Sequence, residues 1–230
     1  MSVRCQNISI KDGRNYVLKD FNLTLTSGQI TALYGLTGSG KTTLLLLLAG
    51  LLRPVSGDVD VNEVNIISEP KKGRKQSGLG VIPEFNPLIS DLTVRENLMF
   101  QARALRLAKP KERVEELLST YSLTAESNML VDNLSAVKYA ETGLAMALMG
   151  NPSLLLLDEP ENRLTSEEIH KFWDHLISLQ EKGVEIILST RYAEIAGRCN
   201  QVVMMPEGKV VEKYAFIESR LDGAKKAFAQ

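Results

Sequence analysis

A glycine-rich run close to residue 40 has the residue types and spacing of a phosphate-binding loop, G-x-x-x-x-G-K-[ST]. Its glycines would let backbone N–H groups wrap a β-phosphate at the start of a helix. Lys41 would neutralise β- and γ-phosphate oxygens, and Thr42 would offer its hydroxyl to magnesium. The candidate nucleotide-binding residues are Gly35, Leu36, Thr37, Gly38, Ser39, Gly40, Lys41, Thr42 and Thr43.

Two acidic residues close an apolar run later in the chain. Leu154 to Leu157 predicts a buried strand, so Asp158 would lie at the carboxyl edge of a sheet, where it can hold magnesium. Glu159 follows directly and is the candidate general base for an attacking water, so its loss should slow hydrolysis and leave nucleotide binding intact. The alternative, a solvated acidic turn, is disfavoured by the phosphate loop, Gly35–Thr42.

The phosphate loop requires a strand before it and a helix after it, and the sequence predicts both. Ile30–Tyr34 is a short apolar run, and a leucine-rich helical pattern begins at Thr42. Alternation over Tyr16–Leu25 predicts an antiparallel pair with the first segment, and a short strand is predicted near Asp58–Val61. The same loop serves GTPases, small-molecule kinases, helicases and transport ATPases, so it leaves the activity open.

Helical periodicity replaces the strand pattern from about residue 93 to residue 149. Leu98, Leu105, Val114, Leu117 and Leu118 are predicted to point inward, and Glu96, Arg103 and Arg106 outward. A helix over Ser166–Glu181 then separates two apolar runs, a pattern typical of buried parallel strands. We predict one α/β domain, 1–230, with its core at 1–92 and 150–230, an N-terminal antiparallel β subdomain, and an inserted helical subdomain at 93–149. Ala215–Gln230 is predicted to form a modest polar helix at most.

Composition and charge exclude several classes of protein. The 230 residues are 44% hydrophobic, enough for a full core, and the formal net charge of −1 disfavours a nucleic-acid partner. Cys5 and Cys199 stand alone, so neither a zinc site nor a disulfide framework is predicted. The first residues lack a secretory signal, and Leu44–Leu52 is shorter than the roughly 20 residues that span a bilayer. We therefore expect a cytoplasmic protein whose link to a membrane comes through a partner.

The phosphate loop, the helical insertion and the Asp-Glu-Pro that ends Leu154–Pro160 together resemble the nucleotide-binding domain of ABC transporters over nearly the whole chain. This resemblance implies a P-loop NTPase core of the ABC ATPase type, which binds ATP and Mg²⁺ and hydrolyses ATP. It also implies face-to-face pairing with a second ATP-binding subunit, as a homodimer or heterodimer, and docking on a transmembrane permease subunit at the inner face of the cell membrane. Leu92–Leu107 resembles exporter subunits, and Phe85 and Leu88 are candidates for the docking surface.

The family's signature segment, Leu-Ser-Gly-Gly-Gln, is altered here to Leu134-Ser135-Ala136-Val137-Lys138. In the family this segment closes over the ATP of the opposite subunit. Ser135 could cap a helix and bond a γ-phosphate, whereas Ala136 and Val137 add Cβ atoms where glycines permit close approach. The resemblance therefore implies a weakened clamp. Lys138 could contact phosphate as a point charge, but a solvated lysine is the favoured interpretation.

Glu84 and Arg191 depart from the family pattern on either side of the predicted nucleotide. Glu84 replaces a glutamine that helps to ligate magnesium, and Arg191 replaces a histidine that contacts the γ-phosphate. Arg191 could bind the γ-phosphate, pair with Glu84, or divert Glu159 from water, and the sequence leaves all three open. A compensating Glu84–Arg191 pair is our hypothesis, with two independent surface residues as its alternative. The candidate catalytic residues are Glu159, Lys41, Glu84 and Arg191, and the candidate metal ligands are Thr42, Asp158 and Glu84.

Two smaller departures concern the turn after Glu159 and the adenine. Thr165 stands where the family has an aspartate, and no aromatic residue occupies the adenine-stacking position near Asp12. Tyr16 could substitute, but alternation along its strand favours a buried tyrosine.

Several conspicuous residues have simpler explanations. His170 and His175 are five positions apart, which misses the i, i+4 spacing of a paired metal site. Trp173 is predicted to belong to the core stripe of its helix, and the basic run 71–75 is interpreted as a solvated loop.

Three functions fit these features. The first is an ATP-binding subunit whose dimer closure and ATP hydrolysis drive a membrane partner. The second is the regulatory half of an asymmetric heterodimer that binds ATP but hydrolyses it poorly, which the altered signature segment, Glu84 and Arg191 favour. The third is a soluble ABC-type ATPase that acts on a protein complex, which would have no membrane subunit.

Overall fold

Two β-sheets and their flanking helices form the fold in the computed structural model, which describes residues 3–68, 78–84, 88–205 and the backbone of 215–218. The strands are β1 (Val3–Asp12), β2 (Asn15–Leu25), β3 (Ile30–Tyr34), β4 (Ser56–Val61), β5 (Val64–Asn65), β6 (Leu79–Ile82), β7 (Leu154–Asp158), β8 (Glu185–Thr190), β9 (Gln201–Met204) and β10 (Ala215–Glu218). The α-helices are α1 (Lys41–Leu48), α2 (Val94–Ala104), α3 (Pro110–Thr120), α4 (Ala136–Ala147), α5 (Ser166–Glu181) and α6 (Ala193–Ala196).

The larger sheet has the strand order β10-β9-β3-β8-β7-β6. Strands β9, β3, β8, β7 and β6 run parallel, and the apolar runs that predicted buried strands are β3, β7 and β8. Parallel strands end at one edge of the sheet. Tyr34 therefore lies beside Thr190 there, and Asp158 lies beside Ser189. This edge carries the phosphate loop and the two acids.

The smaller sheet, β2-β1-β4-β5, is antiparallel throughout. The β1–β2 pair confirms the strand pairing predicted from alternation over Tyr16–Leu25. Its apolar residues belong to the same buried cluster as the leucines of α1 and one face of the parallel sheet, including Leu154 and Leu156. Helix α1 is thus held by apolar contacts on the side opposite to its solvent-facing Thr42.

The other face of the parallel sheet, with Leu155 and Leu157, packs in a second cluster with α2 to α5. Leu98, Val114, Leu117 and Leu118 are buried as predicted. The inward prediction for Leu105 is wrong, because this residue lies at the C-terminal cap of α2 and is 45% exposed. Trp173 is 8% exposed and lies in this core, as predicted for its helix.

The last described strand corrects one prediction. Ala215–Glu218 was predicted to belong to a polar helix, but it forms the strand β10, which pairs antiparallel with β9. The open edge of β9 offers unpaired backbone groups, and pairing satisfies them. The run 71–75 and Phe85 lie outside the described residues, and no helix among the described residues has both the length and the apolarity to cross a membrane.

Candidate active site

The phosphate loop connects β3 to α1 and depends on two close approaches of its backbone. Gly40 has φ +90°, and a Cβ there would lie 3.1 Å from Cγ1 of Val17. A Cβ on Gly35 would lie 2.4 Å from the carbonyl oxygen of Met205 and 2.6 Å from Oγ of Ser39. Glycine is therefore required at both positions for local geometric reasons.

Lys41 lies inside this loop and is only 4% exposed. Its Nζ donates hydrogen bonds to the carbonyl oxygens of Gly35 at 2.7 Å and Leu36 at 2.9 Å. The same ammonium lies 3.7 Å from Oε1 of Glu159. Residues from two distant motifs are thus brought together at the loop.

The loop has features that fit a polyphosphate and its metal. Oγ of Ser39 is buried and has no hydrogen-bond partner among the described residues. The first N–H groups of α1 have no partner within the helix, which suits an anion. Thr42, the residue that would ligate magnesium, is exposed.

Asp158 and Glu159 are held at the end of β7 by one serine. Oγ of Ser189 donates to Oδ1 of Asp158 at 2.5 Å and accepts from the backbone N–H of Glu159 at 2.9 Å. Glu159 has φ +43°, in the left-handed region that non-glycine residues rarely adopt. Such backbone strain is often found at functional sites.

The carboxylate of Glu159 is 12% exposed and is contacted from two sides. Its Oε2 accepts a hydrogen bond from Nδ2 of Asn162 at 2.9 Å and lies 3.8 Å from Nε of Arg191. Nη2 of Arg191 also donates to Oδ1 of Asn162 at 3.4 Å. Of the three roles left open for Arg191, the structure shows the contact with Glu159.

Glu84 is exposed and lines a cavity of about 480 Å³ together with Asp158 and Glu159. No ion pair joins Glu84 to Arg191 in the described part of the chain. The hypothesis of a compensating pair is therefore replaced by a Glu159–Arg191 contact, because Arg191 follows β8 directly and lies beside the end of β7.

Glu161 is a buried acid close to this cluster and is 6% exposed. Its Oε1 accepts a hydrogen bond from the hydroxyl of Thr190, and its Oε2 is without a partner among the described residues. Burial raises the pKa of Glu161 to about 7. Near neutral pH this side chain is therefore partly protonated.

Ser189, Asn162 and Glu161 were not predicted from the sequence to be site residues. Each lies within three positions of Glu159 or Arg191, and that proximity was the available signal. The contacts of Ser189 with Asp158 and Glu159, of Glu161 with Thr190, and of Asn162 with Arg191 cross between the ends of β7 and β8, so no pattern along the chain shows them.

The signature segment caps α4, but its lysine behaves differently from the prediction. Oγ of Ser135 accepts from the backbone N–H of Lys138 at 3.4 Å. Nζ of Lys138 donates to the carbonyl oxygen of Ser122 at 2.9 Å and to Oε2 of Glu141 at 2.8 Å. The solvated interpretation of Lys138 is wrong, because Glu141 one turn later and the end of α3 both offer acceptors.

Tyr16, Thr165 and the histidines complete the set of predicted residues. Tyr16 is 36% exposed, with Nζ of Lys11 4.5 Å from the centre of its ring, so the buried interpretation is wrong. It lies beside the turn that joins β1 to β2, opposite Lys11. Thr165 caps α5 in a capping box with Glu168. His175 lies 3.4 Å from Oε1 of Glu141, and His170 contacts Arg198.

A parallel sheet with a phosphate loop after one strand and an acidic pair after another defines a P-loop nucleoside triphosphatase. The family model described as ABC transporter matches residues 18–162. The chain is 31% identical over 222 residues to Nod factor export ATP-binding protein I of Burkholderia lata, which covers 94% of this chain and 72% of that protein. It is 32% identical over 230 residues to the protein of the same name from Sinorhizobium fredii, covering 96% and 66%.

Solved structures agree with this assignment. The protein cbiO1 from Clostridium perfringens, part of the ABC transporter complex cbiONQ, has a TM-score of 0.83 at 25% identity, covering 99% of this chain and 90% of that one. A dimeric ATP-binding cassette bound to ADP and Pi has the same fold, with a TM-score of 0.83 at 24% identity, covering 95% and 99%. The chain belongs to the ABC transporter family, as an ATP-binding subunit with the ATPase fold, and the predicted fold class is confirmed.

Proposed function

We propose that this chain binds Mg·ATP at the phosphate loop and hydrolyses it with Glu159 as the general base, and that hydrolysis drives a membrane partner. The observation that carries the proposal is the 3.7 Å approach of Lys41 Nζ to Glu159 Oε1. This distance supports one small site that contains both the proposed phosphate-binding cation and the proposed base. Gly35 to Thr43 would surround the phosphates.

Mg²⁺ would be held by the hydroxyl of Thr42 and by Asp158, with Glu84 as a further ligand from the adjoining cavity. When bound, this ion would neutralise charge on the phosphate oxygens. Ser189 would keep Asp158 and the backbone of Glu159 together, since one hydroxyl contacts both. Arg191 adds a positive charge at the same edge.

A second ATP-binding subunit would complete the site by contributing its signature segment. Ser135 would reach the partner's γ-phosphate, but it already caps α4. Ala136 and Val137 keep the backbone further from a phosphate than glycines would. The pair is therefore expected to close less tightly than one with an unaltered segment.

The proposed permease docks at a groove of about 430 Å³ between α2 and the parallel sheet. Three apolar side chains that line it are exposed: Ile89 by 39%, Phe100 by 57% and Leu105 by 45%. Leu88 is partly buried against the core, so it is a weaker docking candidate than these three. This docking would hold the chain peripherally on the cytoplasmic face of the membrane. The names of the relatives support export as the direction of transport.

A second candidate function is an ATP-binding regulatory half that hydrolyses poorly. The specific observation in its favour is that both carboxylate oxygens of Glu159 face other side chains, namely Lys41 at 3.7 Å and Asn162 at 2.9 Å. A base whose oxygens stay engaged accepts a proton from water less readily.

Steady-state and single-turnover ATP hydrolysis with Mg²⁺, together with a nucleotide titration, tests these candidates. We expect Glu159→Gln to keep its affinity for ATP and to lose turnover by about 10²-fold or more. Tight binding with equal, slow turnover in both proteins would contradict the base assignment and support the regulatory half. If the chain is purified from cells and no membrane subunit co-purifies with it, a soluble ABC-type ATPase would instead be favoured.

A further inference from the structure

Asn162 lies between the proposed base and the arginine. Its Nδ2 donates to Oε2 of Glu159 at 2.9 Å, and its Oδ1 accepts from Nη2 of Arg191 at 3.4 Å. Its backbone N–H donates to the carbonyl oxygen of Glu159 at 3.0 Å. One residue therefore contacts both the backbone and the side chain of Glu159.

The two carboxylate oxygens of Glu159 face different groups of neighbours. Oε2 is held by Asn162 and lies near Arg191, whereas Oε1 faces Lys41 in the phosphate loop. A carboxylate held at one oxygen loses rotational freedom, so its other oxygen is fixed in one direction. In this chain the directed oxygen points towards the position proposed for the γ-phosphate.

The position of Asn162 is itself fixed by the ends of β7 and β8. Glu161, the preceding residue, accepts a hydrogen bond from the hydroxyl of Thr190, and that hydroxyl oxygen accepts from the backbone N–H of Tyr192. Ser189 ties the backbone of Glu159 to the same strand end. The segment from Glu159 to Asn162 is therefore attached to the end of β8 at two points: the backbone N–H of Glu159 and the side chain of Glu161.

We propose that Asn162 is a positioning residue for ATP hydrolysis: it holds Oε2 of Glu159 so that Oε1 accepts the proton of the attacking water. The water oxygen forms a bond to the γ-phosphorus, the bond from that phosphorus to the bridging oxygen breaks, and ADP leaves with that electron pair. The water proton moves to Oε1. This role rests on the proposed function of Glu159 as the base.

The test compares Asn162→Ala with wild type in kcat, KM, ATP affinity and thermal unfolding. We expect kcat to fall by about tenfold, because a hydrogen bond to a charged group is lost, while ATP affinity stays within about twofold. Asn162→Asp should be slower still, since a second carboxylate would repel Glu159. The matched control is Asn22→Ala, which removes an exposed amide of the antiparallel sheet that forms hydrogen bonds with Asn7 and Asp20.

A double-variant cycle separates positioning from a structural role. If Asn162 acts through Glu159, then Asn162→Ala should cause no further loss of kcat in a Glu159→Gln background. The same fold-loss in both backgrounds, or an unchanged kcat in the single variant, would overturn the positioning role. Wild-type turnover that does not depend on Glu159 would refute the base assignment itself, and the positioning role with it. If turnover depends on Glu159 but Asn162→Ala leaves it unchanged, only the positioning role of Asn162 is refuted.

Discussion

The buried carboxyl of Glu161 adds a proton-binding group beside the site. Burial raises its pKa from 4.5 to about 7, while the hydroxyl of Thr190 donates to its Oε1. A glutamine at position 161 would keep an oxygen that accepts the hydrogen bond from Thr190, but it would never carry a buried negative charge. Glu161 is therefore expected to make folding stability depend on pH in the neutral range.

For Glu161→Gln, we predict a smaller loss of stability with rising pH. A raised pKa in the folded state stabilises the protein fully below the unfolded pKa, and this contribution is lost as pH rises through about 7. The wild-type free energy of unfolding should therefore fall by about 1–3 kcal/mol more than that of the variant between pH 5 and pH 8. Urea unfolding at both pH values measures it. Glu167→Gln, on the exposed side of α5, is the control, and equal pH dependence in wild type and Glu161→Gln would contradict the prediction.

Tyr16 is exposed next to the phosphate loop, since the following residue, Val17, lies against Gly40. We predict that the tyrosine ring stacks on the adenine of ATP. Tyr16→Ala should then weaken ATP binding by about tenfold, whereas Tyr16→Phe should bind like wild type. A nucleotide titration of the three proteins decides this. Equal affinities in all three would show that adenine does not contact Tyr16.

Three helices are connected through the side chains that follow the signature segment. Lys138 and Glu141 lie on α4, Ser122 follows α3, and His175 lies on α5. The ring of His175 also lies 5.0 Å from that of Tyr121, centre to centre. Lys138, which replaces the family's glutamine, thus fastens the signature helix within its own subunit.

We predict that Glu141→Gln weakens this connection between helices. Burial raises the pKa of Glu141, but hydrogen bonds from His175 and Lys138 outweigh it, and the pKa is lowered overall. Stability from a lowered pKa is present above the unfolded value and lost as pH falls. The variant should be less stable than wild type by about 1–3 kcal/mol at pH 7, and the difference should shrink in acid.

Urea unfolding at pH 7 and pH 4 measures this difference. The control is Glu112→Gln, which breaks the exposed pair with Lys109 and should cost under about 0.5 kcal/mol. A Glu141→Gln protein as stable as the control at pH 7 would show that the connection contributes nothing.

Nucleotide binding should also raise the stability of the entire chain, because the phosphate loop joins both sheets through α1. At 100 times its Kd, a ligand that binds only the folded state adds about 2.7 kcal/mol to the free energy of unfolding. We therefore predict that Mg·ATP raises the unfolding temperature by several degrees in wild type and in Glu159→Gln.

Lys41→Ala should show almost no such increase, because the ammonium that would pair with the phosphates is lost. Thermal unfolding with and without Mg·ATP measures the effect in all three proteins. An equal increase in Lys41→Ala would place the nucleotide away from the phosphate loop and would contradict the proposed site.

The sequence by itself determined the features that depend on neighbours along the chain. The phosphate loop, the Asp158–Glu159 pair, and the strands and helices around them follow from local residue types and periodicity. Ile30–Tyr34 and Ser166–Glu181 match the observed elements at both ends. These features could be predicted because the spacing of glycines and the periodicity of apolar residues determine backbone conformation over only a few neighbouring residues.

Only the tertiary structure decided which side chains meet at the site. Asn162 and Arg191 are 29 positions apart, and Ser189 and Asp158 are 31 apart. They meet because β7 and β8 are adjacent parallel strands whose ends share one edge. The environment of Lys138, the exposure of Tyr16 and the formation of a strand at Ala215–Glu218 were mispredicted for the same reason. Each depends on what another part of the chain places beside it, and residue type alone carries no record of that neighbour.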